Sequence, residues 1–156
     1  MSLNIETYLP PVLQNGGLAT ALPIVGTSTL TVAGVSSSAG VTSSSATAGV
    51  GYATGAGAAV TQASSRTTGV TINAPTGAIT LVSAAGSATP ATFTVTNSAV
   101  AATDVVYVCQ KSGTDKYETF VTAVAAGSFA ITSFTTGGTT TEQPVFNFVV
   151  VKGVAS

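Results

Sequence analysis

From Thr67 onward, apolar side chains recur at every second position, a spacing that fits β-strands and little else. "ATFTVTN" places Phe93 and Val95 on one face, and "DVVYVCQ" sets Val106 and Val108 opposite Val105, Tyr107 and Cys109. "PVFNFVVVKG" divides in the same way, with Phe146, Phe148 and Val150 on one side and Val145, Val149 and Val151 on the other. "GVTINAPTGAITLVS" holds two alternating runs, Val70/Ile72 and Ile79/Leu81, joined across Ala74, Pro75, Thr76 and Gly77, which is a hairpin-like signal. "SGTD" turns the chain into "KYETFVTAV", and "SFAITSF" adds a further strand. Threonine and valine recur throughout, whereas helix formers other than alanine are scarce. Short strands separated by regular turns predict an all-β fold, a β-sandwich or jelly-roll-like domain over residues 67–156.

Upstream the pattern changes twice. Residues 1–26 scatter apolar side chains among Pro10, Pro11, Pro23, Gly16 and Gly17, which forbid a long helix and favour extended backbone. This segment is expected to be an extended N-terminal arm, reaching on the order of 80 Å at about 3.3 Å per residue. Its Leu3, Ile5, Tyr8, Leu9, Val12 and Leu13 need an apolar surface on the same subunit, a neighbour or something larger. Residues 27–66 are rich in glycine, alanine, serine and threonine, which predicts short strands and turns at subunit contacts. With no large side chain to bury, residues 27–51 are poorly placed to offset an ordering cost of roughly 1–2 kcal/mol per residue without partner chains.

Charge narrows the function classes. Four basic and five acidic side chains serve 156 residues, too few to keep a monomer's surface apart from its neighbours, so much of the surface is expected to lie in an assembly. Mean hydropathy is +0.54, yet no stretch approaches the roughly 20 apolar residues of a membrane span. Arg66, Lys111, Lys116 and Lys152 are dispersed and the net charge is −1, which gives no electrostatic footprint for nucleic acid. The N-terminal "MSLNIETYLPPVLQ" lacks the basic and apolar regions of a secretory signal, and Cys109 is the sole cysteine. Both features fit a protein made and kept in a cytoplasm until released.

Candidate chemistry is sparse. Histidine is absent, which removes the commonest general base and metal ligand. Of Glu6, Asp104, Asp115, Glu118 and Glu142, only Asp115 and Glu118 are close in sequence, and they flank the "SGTD" turn. A solvated hairpin turn explains them better than a catalytic or calcium pair. Cys109 is expected as a small buried hydrophobe, since no basic neighbour is nearer than Lys111. Tyr52, Tyr107, Tyr117 and the phenylalanines are expected as core or interface anchors, with a sugar-stacking platform at Tyr107 and Tyr117 as the alternative. Arg66 is either an exposed polar position or the partner of a carboxylate across a subunit boundary. Gly49, Gly51 and Gly55 form GxGxxxG, one residue longer than a dinucleotide loop and without a helical pattern after it. Turns and close backbone packing around an axis account for those glycines, and no cofactor or metal is expected.

The stretches "GVGYATGAGAAVTQASSRTTGVTINAPTGAITL", "FTVTNSAVAATDVVYV", "AAGSFAITSF" and "PVFNFVVVKGVAS" resemble a recurring module in virion structural proteins of tailed bacteriophages. In that module "GYATGAGxxVTQxxSRTTGVTIN" leads into "FTVTNSxVAATDVV" and the chain ends in "FxFVVVKG". The likeness covers residues 49–156. It implies a homotrimeric β-rich module of the phage particle, found on capsid decoration (cement) proteins and at the ends of fibre-like proteins, and it brings no catalytic residues. Almost no repetitive shaft precedes the module here, unlike in the longer fibre-like relatives.

The expectation is therefore a non-enzymatic capsid decoration protein on the virion surface, assembled in the host cytoplasm, that binds the major capsid protein and stabilises the head. Leu3, Ile5, Tyr8, Leu9, Val12 and Leu13 would contact the capsid, and Val50, Tyr52, Val60 and Arg66 would lie at trimer contacts. The alternative is a tail-fibre or receptor-binding protein that recognises host surface polysaccharide. A cellular adhesin and an enzyme rank below both.

Overall fold

A computed structural model describes residues 50–52 and 55–154 of the chain. Among them there is no helix; the fold is all-β. The strands in chain order are β1 (Gly57–Thr61), β2 (Val70–Thr71), β3 (Thr76–Thr80), β4 (Ala84–Ala85), β5 (Ala91–Thr96), β6 (Val105–Ser112), β7 (Tyr117–Ala125), β8 (Ser128–Thr135), β9 (Thr141–Glu142) and β10 (Val145–Val151). They form one four-stranded sheet in the order β1-β3-β10-β6, a second in the order β2-β5-β8-β7, and a ribbon of β4 with β9. Each large sheet contains one parallel pair, β1 with β3 and β2 with β5, so both are mixed rather than purely antiparallel. β1 falls within the segment 27–66 and forms an edge of the first sheet. The expected arm, residues 1–26, lies outside the described residues.

The alternating side chains meet where their spacing predicts. Phe93 and Val95 from β5, Val106 and Val108 from β6, and Phe146, Phe148 and Val150 from β10 join Phe129 and Ile131 from β8 in one buried cluster. The two sheets pack face to face across it. Phe129 of the second sheet meets Phe148 of the first with ring centroids 5.3 Å apart, and Tyr117 meets Phe146 edge-on at 5.7 Å. Rings at these separations gain geometric preference beyond their buried area.

Two expected hairpins are not formed. Val70/Ile72 and Ile79/Leu81 do not form a hairpin: β2 belongs to the second sheet and β3 to the first, so the Ala74–Gly77 turn crosses between layers. The SGTD turn likewise carries the chain from β6 in the first sheet to β7 in the second. In both cases the two runs send their apolar residues into the same core from opposite sides, and alternation does not distinguish that from a ladder. The true tight hairpin joins β7 to β8, where Ala125 pairs with Ser128 and Gly127 takes φ +79°, a value suited to glycine in a tight turn.

β7 also departs from strict alternation. Its register against β8 shifts between Val121 and Ala123, leaving Thr122 as an extra residue. The bulge reverses the parity of the strand, so both Val121 and Val124 pack against the core although they are three positions apart.

Candidate functional site

Charged and hydrogen-bonding groups converge at one end of the two sheets. Arg66, between β1 and β2, donates from Nε to the carbonyl of Val82 at 2.8 Å and from Nη2 to the carbonyls of Ala84 and Glu142 at 2.8 and 2.9 Å. Its Nη1 donates to the Tyr117 hydroxyl at 3.1 Å, and the guanidinium carbon sits 5.6 Å from the centre of the Tyr117 ring. One side chain thus joins the loop after β3, the β4–β9 ribbon and the start of β7. Buried Gln62 completes the clasp: its Nε2 donates to the carbonyls of Arg66 and Thr68 at 3.2 and 2.9 Å, and its Oε1 accepts from the Val82 N–H at 3.3 Å.

The neighbouring turn is held by side chains in place of a ladder. Gln110 Nε2 donates to the Asp115 carbonyl at 2.7 Å, while its Oε1 accepts from the Tyr117 N–H at 3.0 Å. The Glu142 carboxylate accepts from the N–H groups of Thr114 and Asp115. The Thr114 N–H, ahead of burial's opposing effect, holds the Glu142 carboxyl below its ordinary range. Asp115 is only 8% exposed, and its Oδ2 accepts from the Thr140 N–H at 2.8 Å. The expected solvated turn is therefore wrong for Asp115, which is folded beneath the loop after β8, and right for Glu118, which is exposed.

At the opposite end, Asp104 fastens the end of the chain's last strand. Its carboxylate accepts from the N–H groups of Ala101 and Gly153 at 2.8 and 3.1 Å and pairs with the Lys152 ammonium. The Ala101 N–H, then the Lys152 ammonium, hold its carboxyl below the usual carboxylate range.

The outer face of the first sheet is apolar. On β6 Val105 is 63% and Tyr107 64% exposed, and on β10 Val151 is 56% exposed. The register sets Val151 beside Val105 and Val149 beside Tyr107, so these side chains form one contiguous patch. Ala78 of β3 and Asn147 of β10 extend it, Lys111 lies at the bulge where β6 leaves register with β10, and the Asp104–Lys152 ion pair adjoins Val105 and Val151 at the other end. Of the expected trimer contacts, Val50 is exposed, and exposed Tyr52 donates its hydroxyl to the Val150 carbonyl on β10. Val60 turns inward and packs partly buried against the core. Arg66 is half-buried and held within its own chain, not exposed. Leu3, Ile5, Tyr8, Leu9, Val12 and Leu13 lie outside the described residues.

Cys109 is half-buried and stands on the same outer face as Val105 and Tyr107, so it is not the fully buried hydrophobe expected. Tyr107 points out from the first sheet while Tyr117 points into the core, and the two cannot form one stacking platform. The aromatic pair on the surface is instead Phe120 with Phe134, stacked at 6.1 Å on the outer face of the second sheet. Beside it runs a hydroxyl ladder, Thr92 to Thr132 at 2.7 Å and Thr132 to Thr122 at 3.1 Å. The sequence reading missed this pair because Phe120 and Phe134 sit on different strands, 14 positions apart by number. Gly55 at φ +93° leads into β1 rather than into a helix.

Among the described residues no group of three or more acidic, cysteine or histidine side chains could hold a metal, and no helix is long and apolar enough to cross a membrane. Compared with known proteins, the chain matches no family model, no curated protein and no solved structure.

Proposed function

We propose that this protein is a structural component of a tailed-phage particle, a homotrimeric capsid decoration protein that binds the major capsid protein and stabilises the assembled head. The observation that carries the reading is the apolar outer face of the first sheet, where Val105, Tyr107 and Val151 are more than half exposed. Exposed apolar area of this kind marks protein contacts. In this proposal that face, with Val50 and Tyr52 beside it, packs against neighbouring copies, and residues 1–26 form an extended arm that grips the capsid. The all-β unit is the outward, sandwich-like part. A trimer would present three arms to a capsid three-fold, so the second and third bind at high effective concentration once the first has docked.

The test is the copy number of this protein relative to the major capsid protein in purified particles, measured by quantitative mass spectrometry. A number comparable to the capsid subunit supports decoration. A far smaller number places the protein on the tail and overturns the reading. Deleting residues 1–17 is expected to abolish decoration while leaving a folded trimer, and retained capsid binding would refute the arm.

One observation favours a second reading, a tail-fibre or receptor-binding protein. The Phe120/Phe134 stack beside the Thr92–Thr132–Thr122 ladder offers an aromatic face and hydroxyl partners, the combination a sugar ring uses. Binding of host polysaccharide that is lost in Phe120→Ser would favour that role over decoration.

A further inference from the structure

We propose that the cleft beside Arg66 is a binding site for a single carboxylate group. The cleft measures about 30 Å³ and is lined by Arg66, Tyr117, Ser133, Ser87 and Thr89 together with two alanines and Phe134. A water-sized sphere needs roughly 10–15 Å³ of such space, so there is room for about two oxygens and none for a sugar ring.

The chemistry of the lining selects an anion. Four of the five guanidinium N–H groups of Arg66 go to neutral oxygens, three carbonyls and one hydroxyl. The ion pair found among the described residues is Lys152 with Asp104, so no carboxylate of those residues compensates this half-buried cation. Leaving such a charge without a counter-ion is unfavourable, and a guanidinium pairs best with an oxyanion.

The hydroxyls point to the same occupant. Tyr117 accepts from Arg66 and keeps its own proton to donate, and Ser87 accepts from the Thr89 N–H and does the same. Ser133 is 6% exposed and stands on the inward face of β8 next in line after Phe129 and Ile131. There a hydroxyl interrupts the apolar stripe where the cleft begins. A cation and the hydroxyl protons of Tyr117 and Ser87 beside a two-oxygen space suit a carboxylate.

That carboxylate has two sources, a small free acid or an acidic side chain of a neighbouring copy. The second rests on the assembly proposed above and adds to it a contact between copies at the second sheet, where Glu118 of β7 lies; the first needs no assembly. On each protomer Glu118 is the acidic side chain of the described residues that is exposed.

The experiment titrates formate into the full chain at constant ionic strength, with the larger methanesulfonate as balancing anion, and follows the thermal midpoint. A saturable rise of a few degrees in the wild type that disappears in Ser133→Val, which fills the cleft, is expected for a free acid. Thr89→Val on the exposed rim serves as the second variant should Ser133→Val fail to fold. If formate has no effect but Glu118→Gln lowers the assembled mass in analytical ultracentrifugation, the neighbour's carboxylate is the occupant. A formate response unchanged in both cleft variants overturns the site. So does the absence of any formate effect together with unaltered assembly of Glu118→Gln. None of these readouts depends on where the protein sits in a particle.

Discussion

Arg66 reaches the carbonyls of Val82, Ala84 and Glu142 at once, which a flexible ammonium cannot do from a single point. Arg66→Gln is expected to cost about 2–4 kcal/mol, since hydrogen bonds to charged groups are worth about 1.5–3 kcal/mol each and water replaces part of the loss. Arg66→Lys should recover less than half, and urea unfolding of the three proteins checks both. Gly138 is similarly constrained: a Cβ there would meet the Asp115 Cβ at 2.6 Å. Gly138→Ala should therefore destabilise by about 1–3 kcal/mol through overpacking.

Two carboxylates make a pH prediction at the same scale. Asp104 and Glu142 are held below their ordinary values in the folded state, so near those values the unfolded chain binds more protons. Their contribution is fully present above the unfolded range, about pH 4–4.5, and is lost as pH falls through the lower folded values. The urea midpoint should stay flat from about pH 7 to 5 with respect to these groups and drop below about pH 4. Asp104→Asn and Glu142→Gln should each flatten that acid limb.

Among elements, the two faces of the β6/β10 pair should respond oppositely to substitution. Phe148 is buried and meets Phe129 across the core, so Phe148→Ala is expected to cost about 3–5 kcal/mol. Tyr107 and Val105 stand on the outer face, and Tyr107→Ser combined with Val105→Ser should change the stability of an isolated chain little, within about 0.5 kcal/mol per site. The inward faces of β5, β6 and β10 were legible from alternation, because side-chain direction in a strand is a local property. The bulge at Thr122 was not, since an extra residue is defined only against the partner strand. The layer crossings at Ala74–Gly77 and at Gly113–Asp115 escaped for the same reason.

At the scale of the whole molecule, the scarcity of charge and the apolar outer face make one joint prediction. Self-association through that face should persist in 1 M salt, because screening weakens ion pairs and leaves apolar burial intact. Val105→Asp with Tyr107→Asp should shift the chain to monomer, which sedimentation at matched concentration reads directly. An assembly that dissolves in salt and ignores these substitutions would assign the contact to another surface.

By itself the sequence determined the class of structure and the inward side of its main strands, since both follow from backbone preference and a period of two. Tertiary structure decided which strands pair, that Asp115 is buried while Glu118 is not, and that Arg66 becomes a clasp. Those outcomes depend on residues brought together from distant parts of the chain, and a side chain bonding to a remote carbonyl leaves no periodic trace. The Arg66 cleft belongs to that second group: its donors come from the loops around β1 and β4 and from strands β7 and β8, and they meet only once both sheets are packed.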